Sequence, residues 1–128
     1  MVVDASVVAT AVVETTGAAA QALTRSSALA APGLLDLEVI QTIRKKVQAG
    51  VISPSAGSEA VNRLKRLPIA RHSHAALVDR IWALCGNLTA YDASYVALAE
   101  RLRVSLLTGD AAFTTAPGIR CAVKLVKL

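Results

Sequence analysis

Short apolar segments alternate with longer segments of helical periodicity along the chain, and this alternation restricts the fold more than any other feature. Residues 1–4, 104–108 and 121–126 have the composition of short strands, and residues 68–72 fit a short strand or an extended link. Helical patterns fill the intervening stretches: residues 6–14, 18–29, 34–48, 54–67, 73–85 and 89–103. This alternation predicts an α/β fold with a central, mainly parallel sheet and helices on both faces.

The size and composition of the chain predict one domain over residues 1–128, because 128 residues suffice to bury a single core. Hydrophobic residues make up 54% and aromatic residues 3%, so the core must consist of aliphatic side chains. Charged residues from Glu14 to Arg44 interrupt the apolar first third, and Asp4 stands where a signal peptide would be basic. We therefore expect a soluble, cytoplasmic protein.

Basic residues are concentrated in the middle of the chain, which has a net charge of +5. Between residues 44 and 71 there are seven cations against one acid, Glu59; the cations are Arg44, Lys45, Lys46, Arg63, Lys65, Arg66 and Arg71. Such a region attracts a polyanion through phosphate contacts and counterion release. A solvated surface rich in Lys and Arg would have the same composition, so the charge by itself favours nucleic acid only weakly.

Several residues that often mark functional sites are assigned structural roles. Cys85 and Cys121 are too far apart for a metal knuckle or a redox pair and are predicted as small core residues. His72 and His74 have no further ligands near them in sequence. The single Trp, Trp82, lies in the apolar stripe around Ile81 and is predicted to pack, as are Tyr91 and Tyr95, although one of the two tyrosines could line a pocket.

Four of the nine acids occupy special positions in the predicted elements. Asp4 ends the first strand, where Asp is disfavoured, and Asp110 follows the strand that ends at Thr108. Ligands of open α/β sheets bind outside the carboxyl ends of the strands, where both acids would point. Glu38 lies within an apolar helix. Asp92 lies in the first turn of another helix, and its side chain reaches this edge only if that helix runs back across the sheet.

Each of these acids also has a structural interpretation. Asp92 fits a helix cap in the segment that begins at Thr89, and Asp110 fits a turn after Gly109. Asp36 competes with Glu38 for the role on its helix. Gathered together, however, the carboxylates would raise one another's pKa values, and a divalent cation would remove that penalty. Mg²⁺ prefers hard oxygen ligands and, when bound, can acidify a water for attack on phosphorus.

Four segments together resemble the PIN-domain ribonuclease family, in particular the VapC-type toxins of type II toxin–antitoxin systems. They are residues 2–6, 32–39, 88–99 and 106–113, and they cover the chain from near its start to its last predicted acid. The resemblance implies a three-layer α/β/α fold and a catalytic metal pocket for Mg²⁺ or Mn²⁺. It assigns the pocket to Asp4, Glu38, Asp92 and Asp110, with supporting hydroxyls from Ser6 and Thr108. One departure is Gln41, where the family often has Asn.

The family also implies an activity and partners. The expected activity is endonucleolytic hydrolysis of RNA by a metal-activated water, which leaves a 5′-phosphate and a 3′-hydroxyl. The expected partners are an RNA substrate, a second copy in a homodimer, and a small antitoxin whose C-terminal segment lies across the active site. An Arg or Lys of that segment could pair with the acids and replace the metal's charge.

Three alternatives remain beside this interpretation. A phosphatase of the haloacid-dehalogenase type also places acids at two strand ends, but Ser6 and Thr114 stand where that family needs further acids. A phospho-receiver domain requires adjacent acids near the first strand end, and these are not evident. A PIN-like module that binds RNA or protein without cutting is the non-enzymatic alternative, and the joint presence of four acids argues against it.

Overall fold

The computed structural model describes all 128 residues. Its centre is a parallel sheet of five short strands. The strands are β1 (Val2–Val3), β2 (Leu29–Pro32), β3 (Ile69–His72), β4 (Leu106–Thr108) and β5 (Val123–Leu125). Their order is β3-β2-β1-β4-β5, and every neighbouring pair is parallel. In the central register, Val2 pairs with Ala30 on one side and with Leu106 on the other.

Seven helices cover the sheet, so the predicted α/β class and its three layers are confirmed. They are α1 (Ala5–Val13), α2 (Ala18–Arg25), α3 (Leu35–Gln48), α4 (Pro54–Arg66), α5 (Val78–Leu84), α6 (Ala90–Leu102) and α7 (Ala112–Thr115). Helix α1 contacts α2, α3 and α4, whereas α6 contacts α5 and strands β1, β2 and β4. No helix has the length and apolar character needed to cross a membrane.

Local sequence signals account for several helix ends. Ser53 accepts a hydrogen bond from the Ala56 N–H, and Pro54 occupies the first turn of α4, as its sequence predicts. Thr89 accepts a hydrogen bond from the Asp92 N–H and so begins α6. The aliphatic core is also confirmed, since Tyr95 and Phe113 are its only aromatic members.

Three structural predictions need correction. Residues 29–32 form the inner strand β2, whereas no strand was predicted there and the helical pattern was extended to residue 29. Leu29 and Ala31 are buried in the sheet, where β2 pairs with β1 and β3, and this burial outweighs the local helix propensity. The helix predicted from residue 73 begins at Val78, after a 3-10 turn at Ala75–Leu77. Trp82 is 79% exposed, so its predicted packing is wrong.

Gly57 is required where α4 passes α3. A Cβ at this position would lie 2.7 Å from Cγ2 of Val47 and 3.5 Å from Cγ2 of Ile43. Val in a helix has essentially one rotamer, so Val47 cannot turn away. We expect Gly57→Leu to lower the free energy of unfolding by about 1–3 kcal/mol in urea denaturation. A Cβ at Gly86 would meet nothing within 4 Å, so Gly86→Leu is the control, and equal losses in both variants would contradict this packing argument.

Candidate active site

The strand order places a crevice between β1 and β4. From β1 the chain continues to β2 on one side, whereas β4 lies on the other side, so the carboxyl ends of β1 and β4 flank the point where the topology switches. Ligands of open α/β sheets bind at such points. Asp4 directly follows β1 and Thr108 ends β4, and the Asp4 N–H donates to the Leu107 carbonyl at 3.0 Å.

Asp4 is held by hydroxyl and backbone donors at this crevice. Its side chain is the N-cap of α1, with Oδ1 accepting from the backbone N–H of Ser6 at 2.6 Å and from the Ser6 hydroxyl. Its Oδ2 accepts from the hydroxyl of the fully buried Thr108. Asp4 is only 5% exposed, so these donors replace much of its hydration and fix the direction of both carboxylate oxygens.

The same two hydroxyls connect Asp4 to the loop after β4. Ser6 Oγ accepts from the Gly109 N–H at 2.9 Å, and Thr108 Oγ1 accepts from the Asp110 N–H at 3.0 Å. A Cβ on Gly109 would displace the exposed Leu128 side chain and would lie 3.3 Å from Ser6 Oγ, so glycine leaves room for this close approach. Asp110 Oδ1 accepts from the Ala112 N–H at 2.9 Å, so Asp110 does shape the turn, as its structural interpretation predicts.

The structure separates Glu38 from Asp36, its rival on α3. Asp36 forms an ion pair with Arg71 at 2.8 Å, and neither residue is among those at the crevice. Glu38 accepts a hydrogen bond from the Tyr95 hydroxyl at 2.7 Å, across 57 residues of sequence. Burial raises the pKa of Glu38, and repulsion from Asp92 and Asp4 raises it further, while the bond from Tyr95 opposes this. Glu38 is thus close enough to both aspartates to sense their charges.

Asp92 reaches the same edge because α6 runs against the direction of the strands. Residues 103–105 link the end of α6 to β4, so the helix must begin near the carboxyl end of that strand. The pKa of Asp92 is raised, first by burial and then by the charges of Asp4 and Asp110, against a smaller opposing effect of Thr89. Asp92 therefore interacts electrostatically with acids from two strand ends, besides lying in the first turn of its helix.

The four acids have no basic partner. Both ion pairs of the structure lie elsewhere, at Asp36 with Arg71 and at Glu100 with Arg80. No three His, Cys, Asp or Glu side chains are arranged to hold a metal ion in this conformation. The four acids nevertheless suit a hard divalent cation, because they offer only oxygen ligands. The pKa values of Glu38 and Asp92 are raised, and a nearby positive charge would lower them again.

Of the two tyrosines near Asp92, Tyr95 contacts a candidate site residue, a role that the sequence allowed for one of them. Tyr95 is 1% exposed, as core packing predicts, but its hydroxyl binds Glu38. Burial and the hydrogen bond to Glu38 raise the pKa of Tyr95, so it remains a proton donor. The spacing of three residues from Asp92 could have placed Tyr95 on the same helix face. Tyr91 is 65% exposed, so its predicted core packing is wrong.

Comparison with known proteins agrees with this fold. Residues 1–119 match the PIN domain family. Ribonuclease VapC1 of Mycobacterium tuberculosis is 42% identical over 106 residues, which are 82% of this chain and 80% of that protein. Ribonuclease VapC9 of the same organism is 34% identical over 126 residues, which are 98% of each chain. The chain therefore belongs to the PIN domain family and, within it, to the VapC type.

Proposed function

We propose that this protein is an endoribonuclease, the toxin of a toxin–antitoxin pair, and that it hydrolyses RNA at the crevice between β1 and β4. The main support is electrostatic: Glu38 senses the charges of Asp92 and Asp4, Asp92 senses those of Asp4 and Asp110, and no basic side chain pairs with any of the four. The names of the relatives VapC1 and VapC9, both ribonucleases, support the same activity. We assign to the four acids the binding of Mg²⁺, for which Mn²⁺ can substitute.

Hydrogen bonds within the protein orient the carboxylate oxygens that would bind a metal ion next to the phosphate. When bound, Mg²⁺ would supply the positive charge that acidifies an attacking water and stabilises the leaving oxygen. Ser6 and Thr108 hold Asp4 in one orientation, and Tyr95 does the same for Glu38. Asp92 lies at the N-terminal turn of α6, where its negative charge is also favoured by the helix dipole. Oriented carboxylates lose less freedom on binding a cation than mobile ones.

The proposal extends to two protein partners. A small antitoxin would silence the enzyme by placing an Arg or Lys side chain among the four acids, where a cation is electrostatically favoured. A second copy of the chain would form a homodimer. Exposed apolar side chains support buried partner surfaces in general, since Trp82 and Leu37 are among the most exposed large hydrophobic residues.

Product analysis tests the proposed reaction directly. Purified protein is incubated with single-stranded RNA, with and without EDTA, and the ends of the fragments are determined by ligation-based sequencing. We expect 5′-phosphate and 3′-hydroxyl ends, and no cleavage in EDTA until Mg²⁺ is restored. Fragments with 2′,3′-cyclic phosphates, or cleavage that persists in EDTA, would reject the scheme. RNA binding without cleavage in Mg²⁺ would instead indicate the non-catalytic binding module.

Tyr95→Phe is expected to reduce cleavage by about 10- to 100-fold, because it removes the only hydrogen bond that orients Glu38. It should lower the free energy of unfolding by about 1.5–3 kcal/mol, as for a hydrogen bond to a charged group. The measurement is the Mg²⁺ dependence of the cleavage rate together with Mg²⁺ affinity by calorimetry, both of which should weaken. The matched control is Tyr91→Phe, which removes the hydroxyl from an exposed ring. Equal Mg²⁺ affinity in both variants would show that Tyr95 serves only packing.

A further inference from the structure

A groove between α1 and α3 begins at the acidic edge and extends along both helices. Its volume is about 680 Å³, and its lining on α3 consists of Leu37, Glu38, Gln41, Thr42, Lys45 and Lys46. Glu38, Gln41, Thr42 and Lys45 follow one another at helical spacing and so share one face of the helix. One end of the groove therefore carries a carboxylate, and the other end carries ammonium groups about 10 Å away along the helix axis.

The two lysines at the far end are not neutralised by the protein. Neither Lys45 nor Lys46 forms an ion pair, and Lys46 is half-buried, so its charge stays near the wall of the groove. Cations in the last turn of a helix also complement the helix dipole, and that role requires no ligand. Lys65 and Arg66 occupy the same position in α4 but do not line this groove. They are therefore a matched control.

An exposed aromatic ring lies at the acidic end of the same groove. Tyr91 is in the first turn of α6, next to Asp92, and it is among the lining residues. An exposed ring beside a phosphate-binding track is the usual arrangement for stacking on an unpaired base. A groove of this volume is large enough for a compact ligand. It can hold a few nucleotides of a single strand but not a duplex.

We propose that this groove binds single-stranded RNA next to the cleaved bond, with Lys45 and Lys46 on backbone phosphates and Tyr91 stacked on a base. The inference rests on the proposed ribonuclease function and adds a substrate-binding track that extends away from the four acids. An acidic polypeptide could also pair with the lysines, but it would make no use of the exposed ring beside the acids. A single strand of RNA would contact both ends of the groove, the lysines through its phosphates and Tyr91 through a base.

The lysine pair is tested by salt dependence. A short single-stranded RNA of mixed sequence is titrated by fluorescence anisotropy at a series of NaCl concentrations in EDTA, where no cleavage is expected, with all variants in an Asp92→Asn background as a further safeguard. Lys45→Ala combined with Lys46→Ala should lower the slope of log K against log salt by about 1.4, since each lost phosphate contact contributes about 0.7. Lys65→Ala combined with Arg66→Ala removes the same charge and should retain the slope. In the background with Asp92 intact, the Lys45/Lys46 variant should raise KM and leave kcat unchanged.

The stacking role of Tyr91 is tested separately. Tyr91→Ala should raise KM between about 5- and 150-fold, whereas Tyr91→Phe, which keeps the ring, should match the wild type. A duplex of the same sequence should compete poorly in the titration. Equal losses for Tyr91→Ala and Tyr91→Phe would exclude stacking.

The outcomes also distinguish this inference from the function on which it rests. If the wild type cuts RNA and the Lys45/Lys46 variant keeps the wild-type slope and KM, the track is wrong and the ribonuclease stands. The track is equally wrong if that variant loses binding to poly-glutamate and not to RNA, which would assign the groove to an acidic polypeptide. If the wild type fails to cut RNA in Mg²⁺, the proposed function itself is rejected, whatever the titration shows.

Discussion

Asp92→Asn is expected to reduce RNA cleavage by about 10²–10³-fold. A metal centre supplies several kcal/mol of charge stabilisation in the transition state, and a loss of about 3–4 kcal/mol corresponds to that range of rates. Asn keeps the shape of the side chain and retains the backbone hydrogen bond to Thr89, so α6 should form normally. The measurement is single-turnover cleavage of RNA in Mg²⁺, with the fold checked by circular dichroism. Unchanged cleavage would remove Asp92 from the catalytic set.

The same variant is expected to be more stable than the wild type in EDTA at pH 7. Burial, Asp4 and Asp110 raise the pKa of Asp92, so the folded protein binds this proton more tightly than the unfolded chain does. The ionised carboxylate therefore destabilises the fold, and this loss develops as pH rises from the unfolded value of about 3.9 through the raised pKa. Below the unfolded value the two proteins should unfold alike, and Mg²⁺ should stabilise the wild type more. Greater stability of the wild type in EDTA at pH 7 would contradict this.

Thr108→Val is expected to lower the free energy of unfolding by about 2–4 kcal/mol. The fully buried hydroxyl donates to Asp4 and accepts from the Asp110 N–H, so Val leaves a carboxylate oxygen and a backbone donor without a partner. Hydrogen bonds to charged groups contribute about 1.5–3 kcal/mol each and neutral ones about 1 kcal/mol. Cleavage should also fall by about 10- to 100-fold, because Asp4 loses one of the donors that orient it. Urea denaturation and cleavage kinetics measure the two effects.

Thr108→Ser is the control that separates the hydroxyl from the packing of the side chain. Ser keeps both hydrogen bonds and loses only a buried methyl group, which costs about 1 kcal/mol. We therefore expect near wild-type cleavage from Thr108→Ser and a strong loss from Thr108→Val. The reverse order would mean that Thr108 acts through the shape of its methyl group, and the positioning of Asp4 would then depend on Ser6 alone.

The features that sequence predicted well depend on neighbouring residues in the chain. Ser53 and Thr89 begin helices through hydrogen bonds that span three residues, and these signals can be read directly. The α/β class follows from periodicity in the same way. Strand β2 was not predicted, because the helical pattern of the Ala-rich segment was extended to residue 29, and only pairing with β1 and β3 makes Leu29–Pro32 a strand.

The candidate site shows the same division. The sequence alone determined which acids stand at element ends and which residue types could bind a cation, since both depend on local patterns. Only the tertiary structure decided that Asp36 pairs with Arg71 while Glu38 meets Tyr95, and that Trp82 and Tyr91 are exposed. These outcomes depend on surfaces brought together from distant parts of the chain, and periodicity identifies the buried side of a helix without identifying what lies against it.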